Sequence, residues 1–279
     1  MGEIIKPQIT PLRVLVVLFA LLYGYLRFSA FSKEKSHLPD EMAHPIVHDG
    51  NALMTFQSGD EDGQPIIFVH RMPGAADNWA YFLHKPRPGF RVIAVDRPGF
   101  GETTPGSALP DLSDQAAALH PLLVSLSGRN PILVGHSFGA PVVCQAAVDY
   151  PDLVGGLVIV AGSVSPSVEV IYSIQYVGDL PGIRLLLPRS LRNFNHELIP
   201  LRHGLEGLAP RLAEITCPVI IIHGTEDRLV PFENVAFMTE HFREGVIRDT
   251  IVLEGENHFL PWTAQDEIWD AIDGTAFGR

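Results

Sequence analysis

Pro131-Ile132-Leu133-Val134-Gly135-His136-Ser137-Phe138-Gly139 is the stretch on which the reading of this chain turns. Residues 131–134 form a near-continuous apolar run, which suits a strand covered on both faces. Residues 140–148 then take helical spacing. Between the two lies Gly135-His136-Ser137-Phe138-Gly139, a Gly-x-Ser-x-Gly pattern. A sharp turn from strand into helix strains the serine backbone, and glycines on either side remove side chains that would clash there. The start of the helix would aim free N–H groups and the positive end of its dipole at negative charge forming on a reactant.

Outward from this turn, short apolar runs alternate with helical segments. Residues 52–56, 66–69, 91–95, 157–160, 219–222 and 250–253 read as strands, and residues 112–126, 231–242 and 263–276 as helices. Asp111 or Ser113 is placed to cap the first of these helices, and Thr263 with Asp266 forms a capping pattern at the start of the last. Alternation of this kind predicts an α/β fold, a mostly parallel sheet with helices on both faces. It breaks between residues 163 and 214, where apolar residues and prolines crowd without a strand run, so a small helical insertion is expected there.

A hydroxyl needs a base, and the base needs an acid to hold it. Asp227 follows the strand at 219–222, and His258 follows the strand at 250–253. Both lie at the carboxyl ends of strands, where an open parallel sheet gathers its ligands. The order Ser137, Asp227, His258 is a known triad order. Glu226, Glu254 and Glu256 are alternative acids, and His136 and His223 adjoin the site.

From about residue 45 to its end the chain resembles the serine α/β-hydrolases, in the branch with a helical cap between the sixth and seventh strands. His70-Arg71-Met72-Pro73-Gly74 is similar to the family's His-Gly-x-Pro loop. The resemblance implies that the backbone N–H groups of Met72 and Phe138 form an oxyanion hole, and that the Met72–Pro73 bond is cis. Arg71 stands where the family usually has glycine, at a place where it could meet an anionic substrate. Asp96-Arg97-Pro98-Gly99-Phe100-Gly101 resembles the family's Asp-x-x-Gly-x-Gly turn, with Asp96 as turn organiser and Phe100 as a possible substrate contact. Serine at the nucleophile position, in place of the aspartate of epoxide hydrolases and haloalkane dehalogenases, implies acyl chemistry.

The expected activity is therefore hydrolysis of a small apolar ester through an acyl-enzyme, with no metal and no cofactor. Tyr172 and Tyr176, in the insertion, are expected to bind substrate. Rival readings are a carbon–carbon bond hydrolase, whose carboxylate ligands would be sought among Arg184, Arg189, Arg192 and Arg202, a cofactor-free haloperoxidase, and a binding module without activity.

Composition sets the outer bounds. Of 279 residues 46% are apolar and 19% charged, enough for a packed core. Thirty-two acidic against 20 basic residues give a net charge of −12, which argues against nucleic acid as a partner. Cys144 and Cys217 are too few for a disulfide scaffold and read as buried apolar residues. The mean hydropathy of +0.17 points to the apolar segment 12–31, bracketed by Arg13 and Arg27. The expectation is an uncleaved, single-pass membrane anchor within residues 1–35, followed by a polar linker at 32–44 and a hydrolase domain over 36–279. A cleaved signal is the alternative, although cutting after Ala30 would leave Phe28 where a small residue is wanted.

Overall fold

Residues 11–31, 35–274 and 277 are described in the computed structural model of this chain. Along it run α1 (Pro11–Phe31), β1 (Ala43–His48), β2 (Asn51–Gly59), β3 (Gln64–Val69), α2 (Ala80–His84), β4 (Phe90–Val95), α3 (Leu112–Ser125), β5 (Ile132–His136) and α4 (Gly139–Asp149). The second half adds β6 (Gly156–Val160), α5 (Ser173–Asp179), α6 (Pro181–Arg184), α7 (Arg189–Leu208), β7 (Val219–Gly224), α8 (Glu233–His241), β8 (Ile247–Leu253), α9 (Leu260–Thr263) and α10 (Gln265–Asp273). The eight strands form one sheet in the order β1-β2-β4-β3-β5-β6-β7-β8. Pairs β1–β2 and β2–β4 are antiparallel and the rest parallel. This is the alpha/beta hydrolase fold.

The pleat sorts the core into two layers. Ile67, Val69, Leu133 and Ile159 face a cluster with Leu119, Val143, Leu201 and Leu205 from α3, α4 and α7. Their alternates Phe68, Val134 and Val160 face Trp79, Phe82 and Trp269. Strands β5, β6 and β7 are buried throughout, as their unbroken apolar runs require. Asp111 does cap α3, accepting the Ser113 N–H at 2.8 Å.

Two expectations need correction. Strand β1 begins inside the stretch read as a linker, and Pro45 hid it from a search for strands; proline is tolerated there because β1 is an edge strand. The Thr263–Asp266 cap does not form: Thr263 Oγ1 donates instead to Glu256 Oε2 at 2.6 Å, and α10 starts at Gln265. The segment at 12–31 is helical, but among the described residues no helix is long and apolar enough to cross a membrane. Between Arg13 and Arg27 only residues 14–26 lie free of charge. They cover about 20 Å at ~1.5 Å per residue, short of a hydrocarbon core about 30 Å thick.

Candidate active site

Strand β5 ends in a turn that few residues can make. Ser137 has φ of 55°, one of three described non-glycine residues in the left-handed region. The flanking glycines are sterically forced. A Cβ on Gly135 would stand 2.5 Å from the Gly139 oxygen, and one on Gly139 would stand 2.3 Å from the Val69 oxygen. The Ser137 N–H donates to Val160 O at 3.0 Å, and its carbonyl accepts from Ala140 at 3.0 Å and Ser163 at 3.3 Å. The strained residue is thus tied to β6 and α4, and its side chain is half-buried, open to a reactant.

Asp227 and His258 come together as expected. His258 Nδ1–H donates to Asp227 Oδ2 at 2.8 Å, and Asp227 Oδ1 accepts the Leu229 and Val230 N–H groups at 2.9 and 2.8 Å. Three donors hold the carboxylate in a single rotamer. The ring of His258 lies 4.9 Å from that of His136, the residue before Ser137, and His136 Nε2–H donates to the His258 carbonyl at 2.9 Å. Burial lowers the His136 pKa well below 6.5, with the charge of His258 acting in the same direction. His136 is therefore neutral and acts as a strut. His223 likewise donates to Val230 O at 3.0 Å. Glu226 and Glu254 are exposed, and Glu256 is engaged by Thr263. No hydrogen bond among the described residues joins Ser137 Oγ to His258; such contacts often tighten only when substrate binds.

The loop after β3 brings Met72 into the same region. Its bond to Pro73 is cis, as the resemblance implied. Among the described residues neither the Met72 N–H nor the Phe138 N–H is used by a protein acceptor. Arg71 is half-buried, its φ lies outside the left-handed region, and so its Cβ is accommodated without strain. Its guanidinium sits 5.4 Å from the Phe259 ring and 5.8 Å from the Trp262 ring, and it pairs with no carboxylate among the described residues. A cation thus stands beside the loop of His258.

Asp96 organises the next turn, as expected. It accepts the Ala76 N–H at 2.7 Å and the Glu102 N–H at 2.8 Å, and a Cβ on Gly101 would strike it. Burial, opposed by those two hydrogen bonds, raises its pKa to about 6. Phe100 does not line an open site: it is fully buried against His70, with ring centroids 5.7 Å apart.

Sequence reasoning passed over Arg97 and Glu197. Both are buried, and Arg97 Nη1 and Nη2 meet Glu197 Oε1 and Oε2 at 2.7 and 3.1 Å. Gln115 Nε2 donates to the same carboxylate at 2.5 Å. Burial pushes the Glu197 pKa up, opposed by Arg97 and then Gln115. The available signal was the spacing Arg189, Asn193, Glu197, a polar residue every fourth position in a helical stretch.

Tyr172 and Tyr176 lie in the insertion at 66% and 54% exposure. Neither makes a ring contact or hydrogen bond with Ser137 or His258 among the described residues. The insertion's arginines have other partners. Arg189 donates to Gly101 O at 2.6 Å, Arg202 to Glu169 O, and Arg184 lies 3.7 Å from Asp179.

Comparison with known proteins agrees with this architecture. Residues 64–181 match the family described as alpha/beta hydrolase fold. The chain is 27% identical over 221 residues to a non-heme chloroperoxidase of Burkholderia pyrrocinia, covering 64% of this chain and 80% of that protein. It is 30% identical over 149 residues to a pimeloyl-[acyl-carrier protein] methyl ester esterase of Photorhabdus laumondii, covering 53% and 50%. Among solved structures it superposes on a candidate lipase of Acinetobacter baumannii AYE with a TM-score of 0.68 and 17% identity, over 96% of each chain.

Proposed function

Because the chain belongs to the alpha/beta hydrolase fold family, we propose that it is a serine hydrolase cleaving carboxylic esters through an acyl-enzyme. One observation carries this reading: a strained, half-buried Ser137 follows His136, whose ring lies 4.9 Å from that of His258, and His258 is itself locked onto the buried Asp227 at 2.8 Å. Ser137 Oγ attacks the acyl carbon while His258 Nε2 takes its proton. The negative oxygen of the tetrahedral intermediate lies against the Met72 and Phe138 N–H groups, which are preorganised for a charge that exists only there. The C–O bond to the alcohol breaks, and His258 returns the proton to the leaving oxygen. Water then attacks the acyl-enzyme with His258 as base, and the acid departs with Ser137 restored. Asp227 keeps the imidazole in the Nδ1–H tautomer and stabilises its cation.

The carbon–carbon hydrolase reading loses support because Arg184, Arg189 and Arg202 are engaged within the insertion or by the loop after β4. The test is labelling with a fluorophosphonate, followed by turnover of p-nitrophenyl esters. Ser137→Ala is expected to abolish both while leaving the thermal midpoint within a few degrees of wild type. Persistent labelling of the variant would remove Ser137 from its role.

We also infer a membrane-associated location. Leu12, Leu15, Val16, Val17, Leu18 and Phe19 of α1 are more than half exposed. A helix so widely apolar is better suited to lipid than to water. On this reading α1 anchors the hydrolase to a membrane.

A further inference from the structure

Helix α7 carries three buried polar side chains four residues apart, Arg189, Asn193 and Glu197, and all three grip the segment after β4. Arg189 donates to Gly101 O at 2.6 Å, Asn193 Nδ2 to Gly99 O at 2.5 Å and Gly106 O at 3.0 Å, and Glu197 takes both guanidinium arms of Arg97. Arg97 passes this grip onward. Its Nε donates to His70 O at 3.1 Å, its Nη2 to Arg71 O at 3.3 Å, and its backbone N–H to His70 Nε2 at 3.0 Å. Its guanidinium also lies 4.5 Å from the centre of the Phe138 ring. The groups held are thus the two residues that lead into Met72 and the side chain of Phe138, the two residues whose amides are free.

Stability alone does not account for such a pair. Two fully buried charges cost several kcal/mol in desolvation, and well-packed apolar residues of similar volume often stabilise a fold equally well or better. What a fork-shaped cation adds is direction: its donors fix two carbonyls and a carboxylate in one plane. Amide donors must meet a developing oxyanion at about 2.7–3.1 Å, and losing one donor costs roughly 10²–10³ in rate. Small displacements of the loop are therefore felt in kcat.

We propose that Arg97 and Glu197 are positioning residues, a clip through which the placement of α7 sets the geometry of the oxyanion hole formed by the Met72 and Phe138 amides. The proposal rests on the serine hydrolase reading above. It makes the helical insertion a part of the catalytic apparatus through its polar face, apart from any contact its apolar residues make with substrate.

The test compares wild type with Glu197→Gln, Arg97→Lys and the apolar pair Arg97→Met/Glu197→Leu. Each is followed by thermal midpoint, by kcat and KM on a neutral p-nitrophenyl ester, and by the amide resonances of Met72 and Phe138. Glu197→Gln is expected to fold, to shift both resonances, and to lower kcat about ten- to a hundredfold with KM changed less than about threefold. The apolar pair is expected to recover the thermal midpoint but not kcat. Unmoved Met72 and Phe138 resonances in folded Glu197→Gln would overturn the clip, as would a wild-type kcat in the apolar pair. A wild-type chain that turns over no ester and takes no fluorophosphonate would instead overturn the hydrolase reading, and the resonances would still decide whether the coupling exists.

Discussion

His70 has both ring nitrogens committed. Nε2 accepts the Arg97 N–H at 3.0 Å, so Nδ1 must carry the proton it shares with Arg71 O at 2.6 Å. A second proton would break the first bond and place a cation beside Arg97. Burial, then Arg97, accordingly lower its pKa well below 6.5. The sign of the linkage follows: a depressed pKa in a base stabilises the fold fully above about 6.5, and that contribution is lost as pH falls toward the folded value. Ring-nitrogen NMR at pH 5 should show His70 still neutral with the proton on Nδ1, whereas the chain in urea titrates near its ordinary value. A folded His70 that protonates near 6.5 would contradict this assignment. The acid of the triad can be tested at the same scale. Asp227→Asn should lower kcat by about 10³–10⁴ because the imidazole adopts the wrong tautomer, while exposed Glu226→Gln should change it less than about threefold. The reverse order would mean the acid is Glu226. Ser137, Asp227 and His258 were legible in the sequence because each sits just after its own apolar run, so local pattern alone gave their place. Arg97 and Glu197 were not, since their partnership spans 100 positions and depends on how α7 lies over the sheet.

At the scale of elements, buried strands announced themselves and marginal ones did not. β5, β6 and β7 have unbroken apolar runs, whereas β1 carries a proline and two histidines and is defined by its pairing with β2. The insertion was recognised as helical from its prolines and spacing, but its division into α5, α6 and α7 depends on packing. Helices α5 and α6 expose Ile174 at 68%, Tyr176 at 54% and Ile183 at 38%, and Tyr172 just before them at 66%. On the proposed function these side chains gain cover when an acyl chain binds. Each methylene so buried contributes about 0.8 kcal/mol, or roughly fourfold in kcat/KM. An ester series from acetate to palmitate should therefore rise by about that factor per carbon over the short and medium chains, then fall. Tyr172→Ala and Tyr176→Ala should flatten the rise. A flat wild-type profile that neither variant alters would show that these helices do not select the chain.

Taken whole, the molecule joins an acidic body to an apolar helix. With a net charge of −12 the protein is repelled by anionic lipid, so attachment to a membrane has to come from apolar burial and should not need acidic headgroups. The full chain is expected to sediment with phosphatidylcholine vesicles, and a chain beginning at Ser36 to stay in the supernatant with its ester turnover intact. Equal sedimentation of the two would locate the contact outside α1. The sheet that positions the site also ends in an open border at β1, and one of its residues decides how that border behaves. Met54 N–H donates to Thr103 Oγ1 and Met54 O accepts from Asp96, both on the side away from β1. Pro45, opposite Met54 in the register, therefore turns its ring nitrogen outward. The exposed border thus lacks a donor at its middle rung, so a strand from another copy arriving there cannot complete its ladder. The residue that concealed β1 from sequence reading also guards the concentrated protein against growing into fibres along that edge.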